Sequence, residues 1–180
     1  MNNDKFEIER KYLIKMPDKS EIETLNIVSE SEIEQIYLTP TAIRPNARIR
    51  KRVYRDNTEY TTTQKMRIND VKRIEDERVI SREEYEELKK EADQTLNVIN
   101  KKRIVAEYKN QYFEIDIFGF WDDVAFMEIE LKNENQSIDF PTEIKILAEL
   151  TSDKRFSNHS MAKKIPDIKE YIEKKIDNID

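Results

Sequence analysis

Hydrophobic and polar residues alternate along the amino-terminal part of the chain. Between Lys5 and Ile14, one face of an extended chain would carry Phe6, Ile8, Tyr12 and Ile14, and the other Glu7, Glu9, Lys11 and Leu13. A period of two is typical of a β-strand, because successive side chains point to opposite faces. Similar runs recur at about 31–39, 46–56, 58–68, 70–80, 98–109, 111–118 and 124–132. We therefore predict roughly eight strands.

A helical pattern interrupts these strands near the middle of the chain. Ser81-Arg82-Glu83-Glu84 has the sequence of a capping box, in which a serine and a glutamate three positions later satisfy free amides at a helix start. Tyr85, Leu88 and Ala92 follow at helical spacing and would form one buried stripe. The sequence therefore predicts a helix between two strands.

The carboxy-terminal part of the chain changes to a helical pattern after Pro141. A stripe of isoleucines at Ile168, Ile172, Ile176 and Ile179 predicts a terminal helix at about 167–179. This helix either packs on the exterior or plugs one opening. The predicted fold is α+β, an eight-stranded antiparallel β-barrel with helices packed outside and at the carboxy terminus. Residues 1–180 are expected to form one domain.

Composition excludes several classes of site. The single glycine, Gly119, excludes the glycine-rich dinucleotide turn and the glycine-rich phosphate loop, and the absence of cysteine excludes thiolate chemistry. Acids and bases are interleaved and leave a net charge of −6, which argues against a nucleic-acid partner. No apolar run approaches the ~18 residues of a membrane span. We expect a soluble, cytoplasmic protein with no nucleic-acid and no membrane partner.

Charged residues are sorted by sign among the predicted strands. Acidic pairs occur at Glu7/Glu9, Glu75/Glu77 and Glu128/Glu130, and basic clusters at Lys11, at Arg48, Arg50 and Arg52, and at Lys101, Lys102 and Arg103. A solvated sheet face is one interpretation. The other is a charged barrel interior, whose burial requires bound partners. Carboxylates suit Mg²⁺ or Mn²⁺, and Arg and Lys bind phosphate oxygens, so a metal–triphosphate complex would satisfy both clusters.

Short motifs with family-like spacing run in order along about residues 5–164. They are Glu7-x-Glu9-x-Lys11, Tyr37-Leu38, Arg48-x-Arg50, Lys65, Glu75-x-Glu77, Lys101-x-Arg103, Phe113-Glu114-Ile115-Asp116, Glu128-x-Glu130 and Asp153-x-Arg155-Phe156-Ser157-Asn158. This set resembles the CYTH superfamily, the triphosphate tunnel metalloenzymes, and most resembles its small bacterial-type single-domain inorganic triphosphatase-like members. The resemblance implies an eight-stranded antiparallel tunnel that hydrolyses a triphosphate with metal-activated water.

The resemblance also assigns roles to residues. It implies that triphosphate oxygens are bound by Lys11, Arg48, Arg50, Lys65, Lys101, Arg103 and Arg155. It implies that divalent metal, Mg²⁺ or Mn²⁺, is bound and oriented by Glu7, Glu9, Glu75, Glu77, Asp116, Glu128 and Glu130. Lys11 and Tyr37 resemble the catalytic pair that helps to place or deprotonate the attacking water. The small-molecule substrate is expected to be inorganic triphosphate or an organic triphosphate such as thiamine triphosphate.

Several alternatives remain open at the level of sequence. Lys102 could face the interior in place of Lys101, and Arg52 and Arg67 could lie at a solvated rim. His159 is interpreted as a partly exposed residue outside the site. Adenylate cyclisation, which releases pyrophosphate, would use the same clusters, and a non-catalytic triphosphate or polyphosphate-binding module is a further alternative. The sequence gives no indication of the oligomeric state.

Overall fold

The alternating segments form strands at the predicted places. The computed structural model describes residues 8–67 and 73–176, with side chains described except at 65–67, 73–75 and 174–176. In this part of the chain the strands are β1 (Ile8–Lys15), β2 (Asn26–Tyr37), β3 (Ala47–Val53), β4 (Thr58–Arg67), β5 (Arg73–Val79), β6 (Ile99–Tyr108), β7 (Gln111–Phe118), β8 (Val124–Leu131) and β9 (Ile146–Glu149). The helices are α1 (Lys19–Glu23), α2 (Arg82–Lys89), α3 (Asn158–Lys163) and α4 (Ile168–Ile176), with a 3₁₀ turn at Lys154–Phe156.

The strands pair into one antiparallel sheet. Its order is β5-β4-β3-β2-β6-β7-β8-β1-β9, so β5 and β9 are the two edges. The fold is therefore α+β, as predicted. The described residues contain nine strands rather than eight, and among them no backbone pairing joins β5 to β9. The sheet is therefore open between β5 and β9, and the closed eight-stranded barrel of the prediction is not observed.

The prediction of a helical segment directly after Pro141 is wrong, because residues Ile146–Glu149 form strand β9. It pairs with β1 through Tyr12↔Glu149 and Leu13↔Ala148. A bidentate contact also joins Arg10 to Glu149, at 3.0 and 2.9 Å. The free edge of β1 offers unpaired backbone groups, and pairing with them outweighs local helical preference. Helical structure begins only at the 3₁₀ turn and α3.

Two further differences lie near the amino terminus. The short helix α1 was not predicted, although Asp18 and Glu21 form a complete capping box at its start. Strand β2 begins five residues before the predicted run at 31, because its register shifts between Ile27 and Ser29 and interrupts the alternation there. Neither difference moves a predicted site residue.

The predicted central helix is confirmed as α2, but it ends at Lys89, and Ala92 of the predicted stripe lies beyond it in a bridge with Leu38. Its N-cap is Ser81, whose hydroxyl accepts a hydrogen bond from the Glu84 amide at 3.1 Å. Tyr85 is fully buried between α2 and the outer face of β2 and β3. Its hydroxyl donates a hydrogen bond to Glu34 Oε1 at 2.7 Å, and this bond connects α2 to β2. Within the described residues, no helix has the length and apolar composition needed to cross a bilayer.

The inner face of the sheet changes from charged to apolar along the strands. Successive inward residues are Glu9, Lys11 and Leu13 on β1, Arg103, Lys101 and Ile99 on β6, Glu114, Asp116 and Phe118 on β7, and Glu130, Glu128 and Phe126 on β8. The apolar end packs under Phe156, Met161, Ile168 and Tyr171, which come from the 3₁₀ turn, α3 and α4. Helix α4 therefore packs through Ile168 and Ile172, whereas Ile179 lies outside the described residues.

Candidate functional site

The inner face of the sheet borders a cavity of about 1030 Å³. Its charged lining comprises Glu9, Lys11, Arg48, Arg50, Arg52, Glu77, Lys101, Arg103, Glu114, Glu128 and Glu130 on strands, and Asp93, Asp153 and Lys154 outside them. The strand residues come from β1, β3, β5, β6, β7 and β8, so the sheet curves around them. Because side chains alternate along each strand, the charges on the strands share the inner face, and the opposite face carries a separate hydrophobic cluster of the core.

A fully buried carboxylate organises the β6 and β7 side of the cavity. Asp116 has no exposed surface, and its two oxygens accept from Arg103 Nε and Nη2, both at 2.6 Å. Lys101 Nζ also contacts Asp116 Oδ2. Burial alone would raise the pKa of Asp116, but the charges of Lys101 and Arg103 lower it to about 2. Asp116 therefore stays ionised and holds both cations in place.

Glu128 links this cluster to β1. Its two oxygens meet Arg103 Nη2 at 3.0 Å and Lys11 Nζ at 2.8 Å. Lys11 Nζ also lies 3.4 Å from the carbonyl oxygen of Phe156 and 4.0 Å from Glu9 Oε1. The Lys11 side chain is only 14% exposed. Lys11, Arg103 and Glu128 thus form one continuous ionic chain along the cavity wall.

Carboxylates crowd at the charged end of the cavity. Glu9 borders the cavity, and its side chain is about half exposed. The surrounding protein still removes part of the water around its carboxylate, and this desolvation, together with the charge of Glu128, raises the Glu9 pKa to about 7. The charge of Glu114 also raises the Glu9 pKa, and Glu130 lies opposite Glu9 in the backbone register of β1 and β8. Hard carboxylate oxygens are the ligands that Mg²⁺ and Mn²⁺ prefer, so the donor chemistry fits a divalent cation. No group of three potential ligands has metal-binding geometry among the described side chains.

Three arginines form a row on β3. Arg48, Arg50 and Arg52 project from one face of the strand, and the Nε atoms of Arg50 and Arg52 are buried without a hydrogen-bond partner in the described structure. Arg50 Nη1 lies 3.9 Å from Glu77 Oε2, which also accepts from Thr63 Oγ1 at 2.8 Å. Burial and the adjacent Arg48 lower the pKa of Arg50 to about 10. Crowded, desolvated cations of this kind favour a bound anion.

Tyr37 lies beside this row at the end of β2. Its ring packs edge-to-face on His159, with centroids 5.0 Å apart. Its hydroxyl accepts from Gln35 Nε2 at 2.8 Å and also bonds Arg48. Burial raises the pKa of Tyr37 despite the nearby arginines. In the described structure Lys11 and Tyr37 have separate partners, Glu128 and Phe156 for the lysine and Gln35 and Arg48 for the tyrosine.

The structure resolves which of two adjacent lysines faces inward. Lys101 is 4% exposed and borders the cavity, whereas Lys102 points outward and pairs with Glu30 at 3.0 Å. Arg52 lines the cavity, and its Nη1 donates to Tyr54 Oη at 3.2 Å. The side chain of Arg67 lies outside the described residues.

Not every predicted site residue joins the cavity. Arg155 is 66% exposed, pairs with Asp153 at 2.6 Å, and places its guanidinium 5.3 Å from the Tyr171 ring centre, outside the cavity lining. Lys65 and Glu75 pair by backbone across β4 and β5, but their side chains lie outside the described residues. Glu7 lies wholly outside them.

Several residues at or behind the cavity wall, among them Glu114, Gln35 and His159, received no predicted role from the sequence. Alternation places Glu114 on the same strand face as Asp116, although no functional role was predicted for it. Gln35 shares a strand face with Tyr37 in the same way. His159, interpreted from sequence as lying outside the site, borders the cavity against Tyr37. Its place follows from how α3 packs across the end of the sheet, which no local pattern encodes.

Comparisons with known proteins give a consistent result. The family model of the CYTH domain matches residues 5–164. The structure of the inorganic triphosphatase NE1496 is 27% identical, with a TM-score of 0.56 over 91% of this chain and 98% of that one. Another structure of NE1496, described as a hypothetical protein, is 28% identical, with a TM-score of 0.57 over 89% of this chain and 100% of that one.

A more distant structure shares the fold alone. PH1819 from Pyrococcus horikoshii is 21% identical, with a TM-score of 0.51 over 72% of this chain and 80% of that one. A search of curated protein sequences finds no significant match.

Proposed function

The chain belongs to the CYTH domain family, and on that premise we propose that it hydrolyses a triphosphate with the help of a divalent cation. One observation carries the proposal. Six cationic side chains, Lys11, Arg48, Arg50, Arg52, Lys101 and Arg103, border the same cavity as four glutamates of β1, β7 and β8. A polyanion bound together with a cation complements that distribution of charge. The likeness to the inorganic triphosphatase NE1496 supports inorganic triphosphate as the first substrate to test.

The basic side chains would bind the phosphate oxygens. Arg48, Arg50 and Arg52 offer planar guanidinium groups suited to bidentate contacts, and Arg50 and Arg52 each have a buried Nε without a partner in the described structure. Lys101 and Arg103 are held rigidly by Asp116, so they would stabilise charge without first reorganising. The proposal keeps Lys65 and Arg155 as further phosphate ligands. Arg155 would have to leave Asp153 to reach the cavity.

The carboxylates at the charged end would hold the cation. Glu9, Glu128 and Glu130 are the proposed ligands bordering the cavity there, and Glu77 borders it from β5. Glu7, Glu75 and Asp116 complete the proposed set, although the described structure engages both oxygens of Asp116 with Lys101 and Arg103. When bound, Mg²⁺ or Mn²⁺ would polarise phosphate oxygens and lower the pKa of a coordinated water.

Lys11 and Tyr37 are proposed to act on the reacting groups. Lys11 points its ammonium group into the cavity from β1, beside Glu9 and Glu128, where it would bind a phosphate oxygen or position the attacking water. Tyr37 borders the cavity from β2. The proposal also includes a closed tunnel, in which the two sheet edges approach each other around the bound substrate. Closure would exclude water and strengthen each electrostatic contact.

The test is a substrate screen with the purified protein. Inorganic triphosphate, thiamine triphosphate and ATP are each supplied with Mg²⁺ or Mn²⁺, and released phosphate and cyclic AMP are measured in parallel. We expect cation-dependent phosphate release from at least one substrate and its loss in chelator. Cyclic AMP with pyrophosphate would identify a cyclase instead. Binding by calorimetry without turnover of any substrate would identify a non-catalytic module, and either result overturns the proposal.

A further inference from the structure

Gln35 is a buried amide between two residues of the cavity wall. Its side chain has no exposed surface and does not border the cavity itself. Arg50 Nη2 donates to Gln35 Oε1 at 3.3 Å, and Gln35 Nε2 donates to the Tyr37 hydroxyl at 2.8 Å. Gln35 and Tyr37 lie two positions apart on β2, so they share the inner face. The three side chains form a hydrogen-bonded row behind the cavity.

The direction of each hydrogen bond in this row follows from the chemistry of arginine. A guanidinium group has donors and no acceptor, so the group that faces Arg50 must be the amide oxygen of Gln35. The amide nitrogen then faces Tyr37, and the phenol oxygen must accept. Arg48 also hydrogen-bonds Tyr37 and can only donate. Both lone pairs of the phenol oxygen are therefore engaged by protein donors.

The hydroxyl proton of Tyr37 remains, and the protein offers it no acceptor among the described residues. Tyr37 borders the cavity, and the ring of His159 packs against its own ring. The open direction for the proton is thus the cavity, beside the arginine row. Burial raises the pKa of Tyr37, which keeps the proton on the phenol. A protonated phenol whose lone pairs are both engaged cannot take a proton from water.

We infer that Gln35 is a positioning residue, which holds the Tyr37 hydroxyl as a hydrogen-bond donor to a phosphate oxygen lying between Arg48 and Arg50. This inference rests on the proposed function, because it requires a bound phosphate chain. The family resemblance implies that Tyr37 helps to deprotonate water. In the arrangement inferred here, the Tyr37 hydroxyl instead donates one hydrogen bond. Arg50 contributes to the positioning of Tyr37, because its hydrogen bond to Gln35 Oε1 fixes the orientation of the Gln35 amide.

Substitution Gln35→Glu tests the inference by reversing one hydrogen bond while keeping the shape. The carboxylate accepts from Arg50 as before, but it also accepts from Tyr37 and so draws the hydroxyl proton away from the cavity. We expect kcat/KM to fall roughly tenfold to a hundredfold, the size of one hydrogen bond to a charged group. Tyr37→Phe should cause a similar fall. Glu32→Gln, on the exposed outer face of the same strand, is the matched control and should retain activity.

A double-mutant cycle separates the tyrosine effect from the new charge beside Arg50. Without the hydroxyl, Gln35→Glu has no proton to redirect, so the loss that it causes should shrink at least severalfold in the Tyr37→Phe background. An equal loss in both backgrounds would overturn the inference. If Gln35→Glu fails to fold by circular dichroism, Gln35→Met is used in the same cycle, where its smaller loss must likewise depend on the hydroxyl.

Calorimetry with inorganic triphosphate and Ca²⁺ distinguishes this inference from the proposed function. A parent protein that neither binds nor hydrolyses any triphosphate overturns both. A parent protein that is active, with a Gln35 effect independent of the Tyr37 hydroxyl, overturns the inference alone. Binding in the parent, weakened in Gln35→Glu and not in Glu32→Gln, supports both.

Discussion

At the scale of single residues, the site depends on which charges are paired by protein and which are left for a ligand. Asp116 is saturated: its two oxygens meet Arg103 and Lys101, and it has no exposed surface. Arg50 and Arg52 are the opposite case, with buried Nε atoms that lack a partner in the described structure. The first arrangement holds cations in position, and the second leaves donors for an anion.

The role of Asp116 can be tested through stability. Asp116→Asn leaves Lys101 and Arg103 buried without a full counter-charge, and we expect the free energy of unfolding to drop by about 3–5 kcal/mol without added metal. Glu114→Gln is the control, because Glu114 is partly exposed and contacts only Arg103 of this pair; we expect a loss of about 1 kcal/mol. Urea denaturation measures both. Equal stability of Asp116→Asn and the parent would favour a role confined to metal binding.

Neighbouring lysines on β6 provide a matched test of the cavity. Lys101→Ala removes an inward cation, and we expect kcat/KM for inorganic triphosphate to fall roughly tenfold to a hundredfold. Lys102→Ala removes an outward cation paired with Glu30, so its activity should remain within about twofold of the parent. Steady-state kinetics decides. Similar losses in the two variants would mean that overall charge, rather than the cavity, drives binding.

At the scale of elements, the inner faces of β1, β6, β7 and β8 each have a charged part and an apolar part, which gives the cavity a closed end. Phe126 and Phe118 continue the faces that carry Glu128 and Asp116, and the carboxy-terminal helices cover them. On the outer face, α2 is attached through Tyr85 and Glu34. The helices thus stabilise the sheet, and no residue of α2 itself belongs to the cavity lining.

Helix α2 is therefore expected to affect stability and not catalysis. Ser81→Ala removes the acceptor for the Glu84 amide, and we expect the free energy of unfolding to fall by about 1 kcal/mol. The kinetic constants should stay unchanged at temperatures well below the unfolding midpoint. Chemical denaturation and steady-state kinetics are measured on the same sample. A large loss of turnover with unchanged stability would show that α2 communicates with the cavity.

At the scale of the whole molecule, the curved sheet brings like charges close together, most clearly in the arginine row of Arg48, Arg50 and Arg52. In the arginine row on β3, Glu77 Oε2 lies 3.9 Å from Arg50 Nη1, while burial and the charges of Arg48 and Arg52 lower the pKa of Arg50. Like charges repel until a ligand pairs them, so the protein without ligand carries a cost in stability. This cost is the counterpart of a preorganised binding site.

Ligand should consequently raise the thermal midpoint. Magnesium and inorganic triphosphate together bind the native state and not the unfolded chain, and at 100 times the dissociation constant they would add about 2.7 kcal/mol. Scanning calorimetry with each component alone and with both measures the effect. Calcium replaces magnesium where turnover would consume the triphosphate. An unchanged midpoint at saturating concentrations would contradict binding in the cavity.

The amino-acid sequence by itself determined the strands of the charged face and the sorting of charge among them. Alternation with a period of two is a local property, so β1, β3, β6, β7 and β8 and their inward charges were predictable. The capping sequence at Ser81 was equally local. Family motifs supplied the candidate roles, which stay predictions; the structure adds that Lys101, Arg48, Arg50 and Glu128 border one cavity.

Only the tertiary structure decided the rest, because it depends on contacts between distant segments. Strand β9 forms on the free edge of β1, against the local pattern. Asp116 is saturated because β6 places Lys101 and Arg103 beside it. Arg155 turns to Asp153 and Tyr171, and His159 reaches Tyr37, because of how the carboxy-terminal helices cover the sheet. The direction of the hydrogen bonds through Gln35 likewise exists only once Arg50 and Tyr37 are brought to either side of it.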